Sequence, residues 1–410
     1  MKNIIFTLLL STTIFAQGST LSLYEESQKA LADGNLNLAK DKILAAIEAD
    51  NTNQSYRDYY ENKIRKLNTD IGNANRSISD KRFDDAITAF DKILNEAPNL
   101  SSALSGKGKA HYYKKEYEEA IIYFEKSLDI DPSYTKAKID KSNAIKKFYL
   151  SIKEDHVDRG QYDIAISKYK QVLTYQPKFF QAYSQMGVIN RRNGSLSLAI
   201  ENFESALAIN KNQPKILFQL GKTHKDNGNL ESSKEAYEKA VKLDEKYYKA
   251  FKNLGDIFLE TGDYDNAIKS LKASIELKDD YGTAYHSLGN VYIEKKEYVR
   301  AVENFTKAVE FQPKKHISWF RLAQAHNRNN NCGEAKKAAL EATILKKSYG
   351  GGWFELALAE YCDGKGNKST ARRYFETARN DLKWRDQAKY GLLHLETPER
   401  WTMEGLIGEE

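Results

Sequence analysis

Glycines, large apolar residues and small residues recur along the chain with a fixed period of 34 residues. One glycine ladder consists of Gly187, Gly221, Gly255 and Gly289, and a second consists of Gly160, Gly194, Gly228 and Gly262. In phase with them are large residues (Tyr183, Leu217, Phe251, Tyr285, Trp319, Trp353), leucines (Leu220, Leu254, Leu288, Leu322, Leu356), small residues (Ala165, Ala199, Ser233, Ala267, Ala301, Ala335) and bulky residues four positions later (Tyr169, Phe203, Tyr237, Leu271, Phe305). A constant period of this length indicates a repeat architecture.

The spacing within one period predicts two helices that pack against each other. The large residue, the leucine and the glycine recur at helical spacing, so they share one face of a first helix. Glycine at that point allows a second helix, which carries the small and bulky residues, to approach closely. The other glycine ladder falls in the turn between the helices, where a left-handed backbone is favourable for glycine. Each period should therefore form one helical hairpin.

The residues of one period resemble the signature of the tetratricopeptide repeat family. The matching residues are Tyr285, Leu288, Gly289, Tyr292, Ala301, Phe305, Ala308 and Pro313. The resemblance implies an all-α fold, an alpha-alpha superhelix (a solenoid) of about ten helical hairpins. It also implies that the first helices line a concave groove, which takes an extended peptide or a helix.

The resemblance predicts a solenoid over residues 18–395. Its repeats are expected at 20–53, 67–100, 101–134, 146–179, 180–213, 214–247, 248–281, 282–315, 316–349 and 350–385. Residues 386–395 should form a capping helix, because a solenoid must cover the apolar surface of its last repeat. Residues 396–410 are expected to be a C-terminal tail, in which Trp401 could instead dock back on the array.

Two insertions interrupt the period, thirteen residues at 54–66 and eleven at 135–145. Eleven residues make about three helical turns, so the insertion should lengthen a first helix without turning its packing face. The segment from Tyr134 to Arg159 contains neither glycine nor proline and predicts one helix of about 25 residues. Such a helix either changes the pitch of the array locally or provides a special contact surface.

The first residues differ in character from the repeats. Lys2 precedes a mostly apolar run from Ile4 to Ala16, which is too short to span a bilayer, since a span needs about 20 residues. The run is typical of a signal peptide, residues 1–17. Its end resembles the cleavage region of exported bacterial proteins. We therefore expect export to the periplasm or the exterior, and no transmembrane span.

Charge and composition narrow the class of partner. The formal net charge is +6, with 63 basic and 57 acidic residues that alternate along most segments. Such alternation is typical of solvated helix faces. The chain has no arginine-rich run and no basic stripe with interleaved aromatics, so a nucleic acid is not the expected partner.

No residue pattern predicts catalysis, a metal site or a cofactor. Four histidines occupy the same repeat position, at which sister repeats carry Phe258 or Tyr292, so we interpret them as packing residues. These histidines are His111, His156, His224 and His326. The two cysteines, Cys332 and Cys362, lie at the turn edge of neighbouring repeats and could form a disulfide in an oxidising compartment.

Side chains that point away from the second helices would line the groove. The candidate partner-binding residues are Arg191, Lys215, Phe218, Lys222, Lys225, Lys249, Lys252, His286, Asn290 and Phe320. This groove is basic in the middle and more aromatic towards its C-terminal end, which favours an acidic segment or a C-terminal carboxylate. Lys252 and Asn290 resemble parts of the carboxylate clamp of some family members, but Asp256 and His286 depart from that pattern.

The sequence thus predicts a non-catalytic scaffold or adaptor that binds a protein or peptide, an acidic one fitting the groove, in a cell-envelope complex. The alternative is an accessory or regulatory subunit that recruits or positions a catalytic partner. An enzyme is disfavoured, because no stretch longer than about 25 residues lies outside the array.

Overall fold

The computed structural model describes residues 20–362 and 366–396, and all regular secondary structure within them is helical. The predicted signal peptide, and the predicted tail from residue 397 onward with Trp401, lie outside these residues. The chain divides into two compact units, Met1–Ala182 and Tyr183–Glu410. No helix of the described part is both long and apolar enough to cross a membrane.

The first unit is a succession of antiparallel helices. They are α1 (20–32), α2 (Leu36–Ala49), α3 (Gln54–Tyr59), α4 (Lys66–Ser79), α5 (Phe83–Glu96), α6 (Ser101–Lys114), α7 (Tyr117–Ile130), α8 (Thr135–Ile152) and α9 (Tyr162–Tyr175). A π-helical turn, Tyr60–Arg65, joins α3 to α4, and another, Lys153–Val157, continues α8.

The second unit continues the alternation of first and second helices. They are α10 (Phe180–Arg192, which begins just before the unit boundary), α11 (Leu196–Ile209), α12 (Pro214–Asp226), α13 (Leu230–Leu243), α14 (Tyr248–Glu260), α15 (Tyr264–Leu277), α16 (Gly282–Glu294), α17 (Tyr298–Phe311), α18 (His316–Arg328), α19 (Cys332–Leu345), α20 (Gly350–Glu360), α21 (Lys368–Ala378) and α22 (Arg385–Glu396). The all-α solenoid fold predicted from the repeats is thereby confirmed.

Several hairpins close where a glycine of the first helix meets a bulky side chain of the second. A Cβ atom added at Gly289 would lie 2.7 Å from Cε1 of Phe305, and one at Gly221 would lie 2.8 Å from Cε1 of Tyr237. Both rings are completely buried. Interiors are close-packed, so these glycines set the separation of the two helices. Ser233, the polar member of the small-residue ladder, donates from Oγ to the Gly221 carbonyl at 2.8 Å.

The turns between paired helices use the left-handed conformation that the second glycine ladder predicts. Gly160, Gly194, Gly228 and Gly262 have φ between 74° and 79°. Lys296 takes the corresponding position in its hairpin with φ of 58°. The turn therefore keeps its geometry even where the sequence departs from glycine.

Both insertions lie in long helical runs, over residues 54–79 and 135–157. The continuity of the second run agrees with its lack of glycine and proline. Each run also contains a π-helical turn, which the spacing of residues did not indicate. A π-helical turn accommodates an extra residue within a helix, so it changes which side chains face the neighbouring helices.

The first insertion displaces the N-terminal hairpin along the long helix. Thirteen extra residues add about 20 Å, which is close to the length of the 14-residue helix α4. As a result, the turn after α1 meets the loop before α6. Asn99 Nδ2 donates to the Ala32 carbonyl at 3.3 Å, and Ser101 Oγ donates to the Gly34 carbonyl at 3.2 Å.

The last helix of the described residues, α22, packs against α21. Ala388 and Leu395 are fully buried, and a Cβ at Gly391 would lie 2.6 Å from Cε1 of Phe375. The same contact between glycine and aromatic ring that closes the hairpins thus attaches this helix. Such packing is what a solenoid needs at its terminal apolar surface.

Candidate functional site

Basic side chains from several first helices of the second unit influence one another electrostatically. We call the surface formed by Arg191, Lys222, Lys252, Lys315 and Arg321 the basic face. Lys222 on α12 is acted on by Arg191 of α10 and by Lys252 of α14. Lys315, which precedes α18, is also acted on by Lys252. The face therefore extends across consecutive repeats.

Three of the predicted cations are tied to carboxylates. Arg191 Nη2 lies 2.8 Å from Asp226 Oδ2, and Lys225 Nζ lies 2.6 Å from Glu260 Oε2. Each of these pairs joins neighbouring first helices. On α14, Lys252 Nζ lies 2.5 Å from an oxygen of Asp256, one helical turn away. Partly exposed ion pairs contribute about 0–1 kcal/mol to stability, so their main consequence is to reduce the free positive charge.

Lys222 and Lys315 are the lysines of the face whose charge is least compensated. Neither forms an ion pair within the part of the chain that the structure describes. Burial lowers the pKa of Lys222, Arg191 and Lys252 lower it further, and Asp226 opposes them. Burial also lowers the pKa of Lys315, with Lys252 adding to the effect and Asp256 opposing it. A bound anion would relieve this repulsion, because it favours the charged form of both amines.

His286 lies among these cations and is held neutral. Its Nδ1 is 3.1 Å from Ser318 Oγ, and its ring packs edge-on against Phe305 with centroids 5.5 Å apart. Burial, with Lys315, Arg321 and Lys252 in support, lowers its pKa to about 3. The neutral ring of His286 can therefore donate or accept a hydrogen bond with a ligand, but it carries no charge at neutral pH.

Asn290 lies one turn after His286 on α16 and is partly buried. Its Oδ1 is buried and accepts no hydrogen bond from the described residues. A buried acceptor without a partner is unfavourable. A donor on a bound segment could satisfy it.

Lys215 and Lys249 lie near the starts of α12 and α14 and are exposed. Within the described residues neither forms an ion pair, and Lys249 Nζ lies 5.7 Å from the centroid of the Tyr248 ring. Both add positive charge near the starts of these two first helices.

The structure places Phe218 and Phe320 in the core, where they are only 8% and 2% exposed. This differs from the expectation that their rings line an open groove. Phe218 is covered by Tyr247, with ring centroids 5.1 Å apart, and Phe320 by Tyr349 at 5.4 Å. Each tyrosine is the last residue of the repeat that contains the phenylalanine. A repeat thus folds its own end back over its first helix.

A buried carboxylate, which the sequence did not single out, lies near the C-terminal end of this surface. Glu355 on α20 is 3% exposed, and Asn327 Nδ2 donates to its Oε2 at 2.8 Å and to its carbonyl at 2.9 Å. Burial raises the pKa of Glu355 to about 7, while Asn327, Arg328 and Arg321 act in the opposite direction.

The two cysteines are paired in the structure. Cys332 begins α19 and Cys362 follows α20, and their Cα atoms lie 6.0 Å apart. This separation is within the range of protein disulfides. The bond links the turns of two consecutive hairpins.

The histidines of the shared repeat position lie against neighbouring rings or within the hairpins. His111 stacks on Tyr123, with ring centroids 5.3 Å apart, and its Nδ1 is 2.7 Å from Glu116 Oε2. Burial lowers the pKa of both His224 and His326. These surroundings agree with a packing role.

Models of the tetratricopeptide repeat match several segments of both units. Models described as "Tetratricopeptide repeat" match residues 101–134, 154–214, 214–247 and 282–315, and one described as "TPR repeat" matches 255–296. Together with the helical hairpins, these matches decide the family. The chain is a tetratricopeptide repeat protein. Proteins of this family are generally non-catalytic scaffolds for protein interaction.

Individual proteins similar to this tetratricopeptide repeat protein match it in part. The DnaJ protein P58IPK homolog of Arabidopsis thaliana is 28% identical over 100 residues, 24% of this chain and 20% of the relative. The crystal structure of MamA protein is 27% identical, with 41% of this chain and 92% of that chain covered and a TM-score of 0.38. The crystal structure of the APC/C hetero-tetramer Cut9-Hcn1 is 14% identical, covers 92% and 76%, and has a TM-score of 0.47. The chain thus spans about a fifth of the length of the curated relative.

Proposed function

We propose that this protein is an adaptor whose basic face binds an acidic segment of a protein partner. The observation that carries the proposal is a pair of lysines, Lys222 and Lys315, that form no ion pair with the described residues and that both interact with Lys252 of the Lys252–Asp256 ion pair. A segment with at least two carboxylates would place one beside each amine. Charge-assisted hydrogen bonds of this kind are the stronger ones in proteins.

Neutral groups between the amines support a peptide as the ligand. Asn290 offers a buried acceptor for a backbone N–H, and the ring of His286 stays neutral and can accept or donate one hydrogen bond. A peptide supplies both carboxylates and backbone donors, whereas a simple anion supplies only the former. The face therefore suits an extended acidic segment.

The test is affinity capture from the native cells with the full-length protein. Lys222→Glu combined with Lys315→Glu should remove the captured partner, because both favourable charges are reversed. The double variant should fold normally, since each new carboxylate replaces a cation among other cations. A matched control reverses Lys242 and Lys272, which are exposed on the second helices α13 and α15 and change the net charge equally.

The outcomes separate the proposal from general charge effects. Loss of the partner in the Lys222 and Lys315 variant, with retention in the control, supports the basic face. Equal capture by both variants would refute it. If the partner is an enzyme, its rate should be measured with and without this protein. A rate that changes on binding would favour an accessory subunit over a plain adaptor.

The proposed location is the cell envelope, after export and removal of residues 1–17. This part of the proposal rests on the sequence of the N-terminal segment alone. Cell fractionation followed by N-terminal sequencing of the mature protein tests it. A cytosolic protein that still begins at Met1 would contradict it.

A further inference from the structure

A second surface, on the long helix α8 of the first unit, combines exposed aliphatic and basic side chains. Ile139 and Leu150, on a helix whose opposite face packs in the core, are each 56% exposed. They are eleven residues apart, about three helical turns, so they point in the same direction. Asn143 lies between them on the same face and is exposed as well.

Lysines flank this aliphatic stripe on both sides. Thr135–Ile152 contains five lysines and a single acidic residue, Asp140. Lys136, Lys146 and Lys147 are exposed and form no ion pair with the described residues. At about 100° per residue, Lys146 lies on one side of the stripe, and Lys136 and Lys147 lie on the other.

The opposite face of α8 is fully occupied within the unit. Its buried residues are Ala137, Ala144, Ile145, Phe148 and Ile152. Lys141 Nζ, at the margin of that face, pairs with Glu125 of α7 at 2.8 Å. The exposed stripe is therefore not needed to hold the helix in place, and the insertion at 135–145 supplies half of it.

We propose that α8 docks an acidic amphipathic helix of a partner protein. The partner helix would pack its apolar residues against Ile139 and Leu150 and place carboxylates beside Lys136, Lys146 and Lys147. Apolar contacts with charged residues along their flanks are a means by which two helices recognise each other. A membrane surface fits less well, because helices that lie in a bilayer interface present a wide apolar face, and this stripe is one residue wide.

A synthetic peptide helix tests the proposal with the full-length protein. The probe is a fluorescently labelled peptide of about three heptads, with leucines in one stripe and glutamates on both flanks. Fluorescence anisotropy should show saturable binding that weakens as salt is added. A peptide of the same composition, scrambled so that its leucines do not align, should bind at least tenfold more weakly.

Variants locate the binding on α8. Ile139→Gln with Leu150→Gln should weaken the binding of the aligned peptide at least tenfold. Glutamine is chosen because it keeps a good helix propensity. The matched control is Leu340→Gln with Ile344→Gln on α19, where the side chains are 47% and 59% exposed. This control should leave the dissociation constant unchanged.

Charge reversal gives a second, independent test. Lys146→Glu with Lys147→Glu should weaken the binding of the glutamate peptide. The same variant should bind more tightly a version of the peptide with lysines in place of glutamates. Circular dichroism confirms that each variant is helical. Equal binding of aligned and scrambled peptides, or undiminished binding by the Ile139 and Leu150 variant, would overturn the proposal. A third result would also overturn it: the protein sediments with phosphatidylglycerol vesicles, depends on α8 to do so, and does not bind the peptide. That result identifies a lipid site.

Discussion

Replacing Glu355 by glutamine should remove a pH-dependent loss of stability. The carboxyl group is 3% exposed, and its hydrogen-bond donor is Asn327 Nδ2 at 2.8 Å. Arg321 and Arg328 attract it, but burial outweighs them and raises its pKa from 4.5 to about 7. The folded protein therefore holds this proton more tightly than the unfolded chain does.

The sign and size of the effect follow from that difference. A raised pKa means that the contribution of Glu355 to stability is full below pH 4.5 and is lost as the pH rises through about 7. A difference of about 2.5 units corresponds to about 3 kcal/mol. Glutamine retains an acceptor for Asn327 but does not titrate. The free energy of unfolding of Glu355→Gln relative to the natural protein should therefore rise by about 2–3 kcal/mol from pH 5 to pH 8.

Urea unfolding of both proteins at several pH values measures this change. Tryptophan fluorescence, to which Trp353 contributes from two residues before Glu355 on α20, follows the unfolding. Comparing the two proteins at each pH cancels the titration of other groups, and any constant effect of the new amide appears equally at all pH values. A difference that stays constant between pH 5 and pH 8 would refute the reasoning.

Three further predictions concern packing, the disulfide and the basic face. Gly289→Ala should destabilise the folded protein by about 1–3 kcal/mol through overpacking. Gly333→Ala, whose added Cβ has no neighbour within 4 Å, should stabilise it by up to about 1 kcal/mol. If thermal unfolding finds Gly289→Ala as stable as Gly333→Ala or more stable, the packing argument is contradicted. Cys332→Ser should lower the stability of the C-terminal repeats by about 3–4 kcal/mol and abolish any effect of reductant on urea unfolding, and a variant as stable as the natural protein would speak against the bond. The pKa of His286, followed by NMR, should be about 3 and should rise in Lys315→Glu. An unchanged pKa would show that Lys315 does not act on His286.

The fold follows from features that are local in sequence. Gly289 lies on the first helix and Phe305 on the second helix of one hairpin, with a single turn between them. A short-range sequence pattern is therefore enough to predict their contact. The left-handed turn at Gly262 is likewise a property of a few consecutive residues. The repeat then propagates these local rules through each unit.

The charge balance of the candidate site depends on longer-range geometry. Arg191–Asp226 and Lys225–Glu260 are both 35 residues apart, one more than the period. Opposite charges at that spacing can be found in the sequence. They can be recognised as ion pairs only once the first helices are known to lie side by side. Such pairs explain why the face carries less free charge than its lysines suggest.

The burial of Phe218 and of Glu355 could not be predicted from helical projection. A projection considers one helix at a time, and Phe218 is covered by Tyr247 from the end of the same repeat. Glu355 is covered by α18, from which Asn327 supplies its hydrogen bonds. In both cases the deciding contact comes from outside the helix that carries the residue. Aromatic residues at the last position of a repeat are the signal that could have revealed the first case.

Site-specific photocrosslinking in the native cells tests the central claim most directly. A photoreactive amino acid is placed at position 222 or 315 on the basic face, and at 242 or 272 on the second helices as controls. The proposed function predicts that positions 222 and 315 crosslink one protein through a segment rich in aspartate and glutamate, and that the controls do not. The same yield and the same partners from all four positions, or no crosslinked protein from 222 and 315, would contradict the claim.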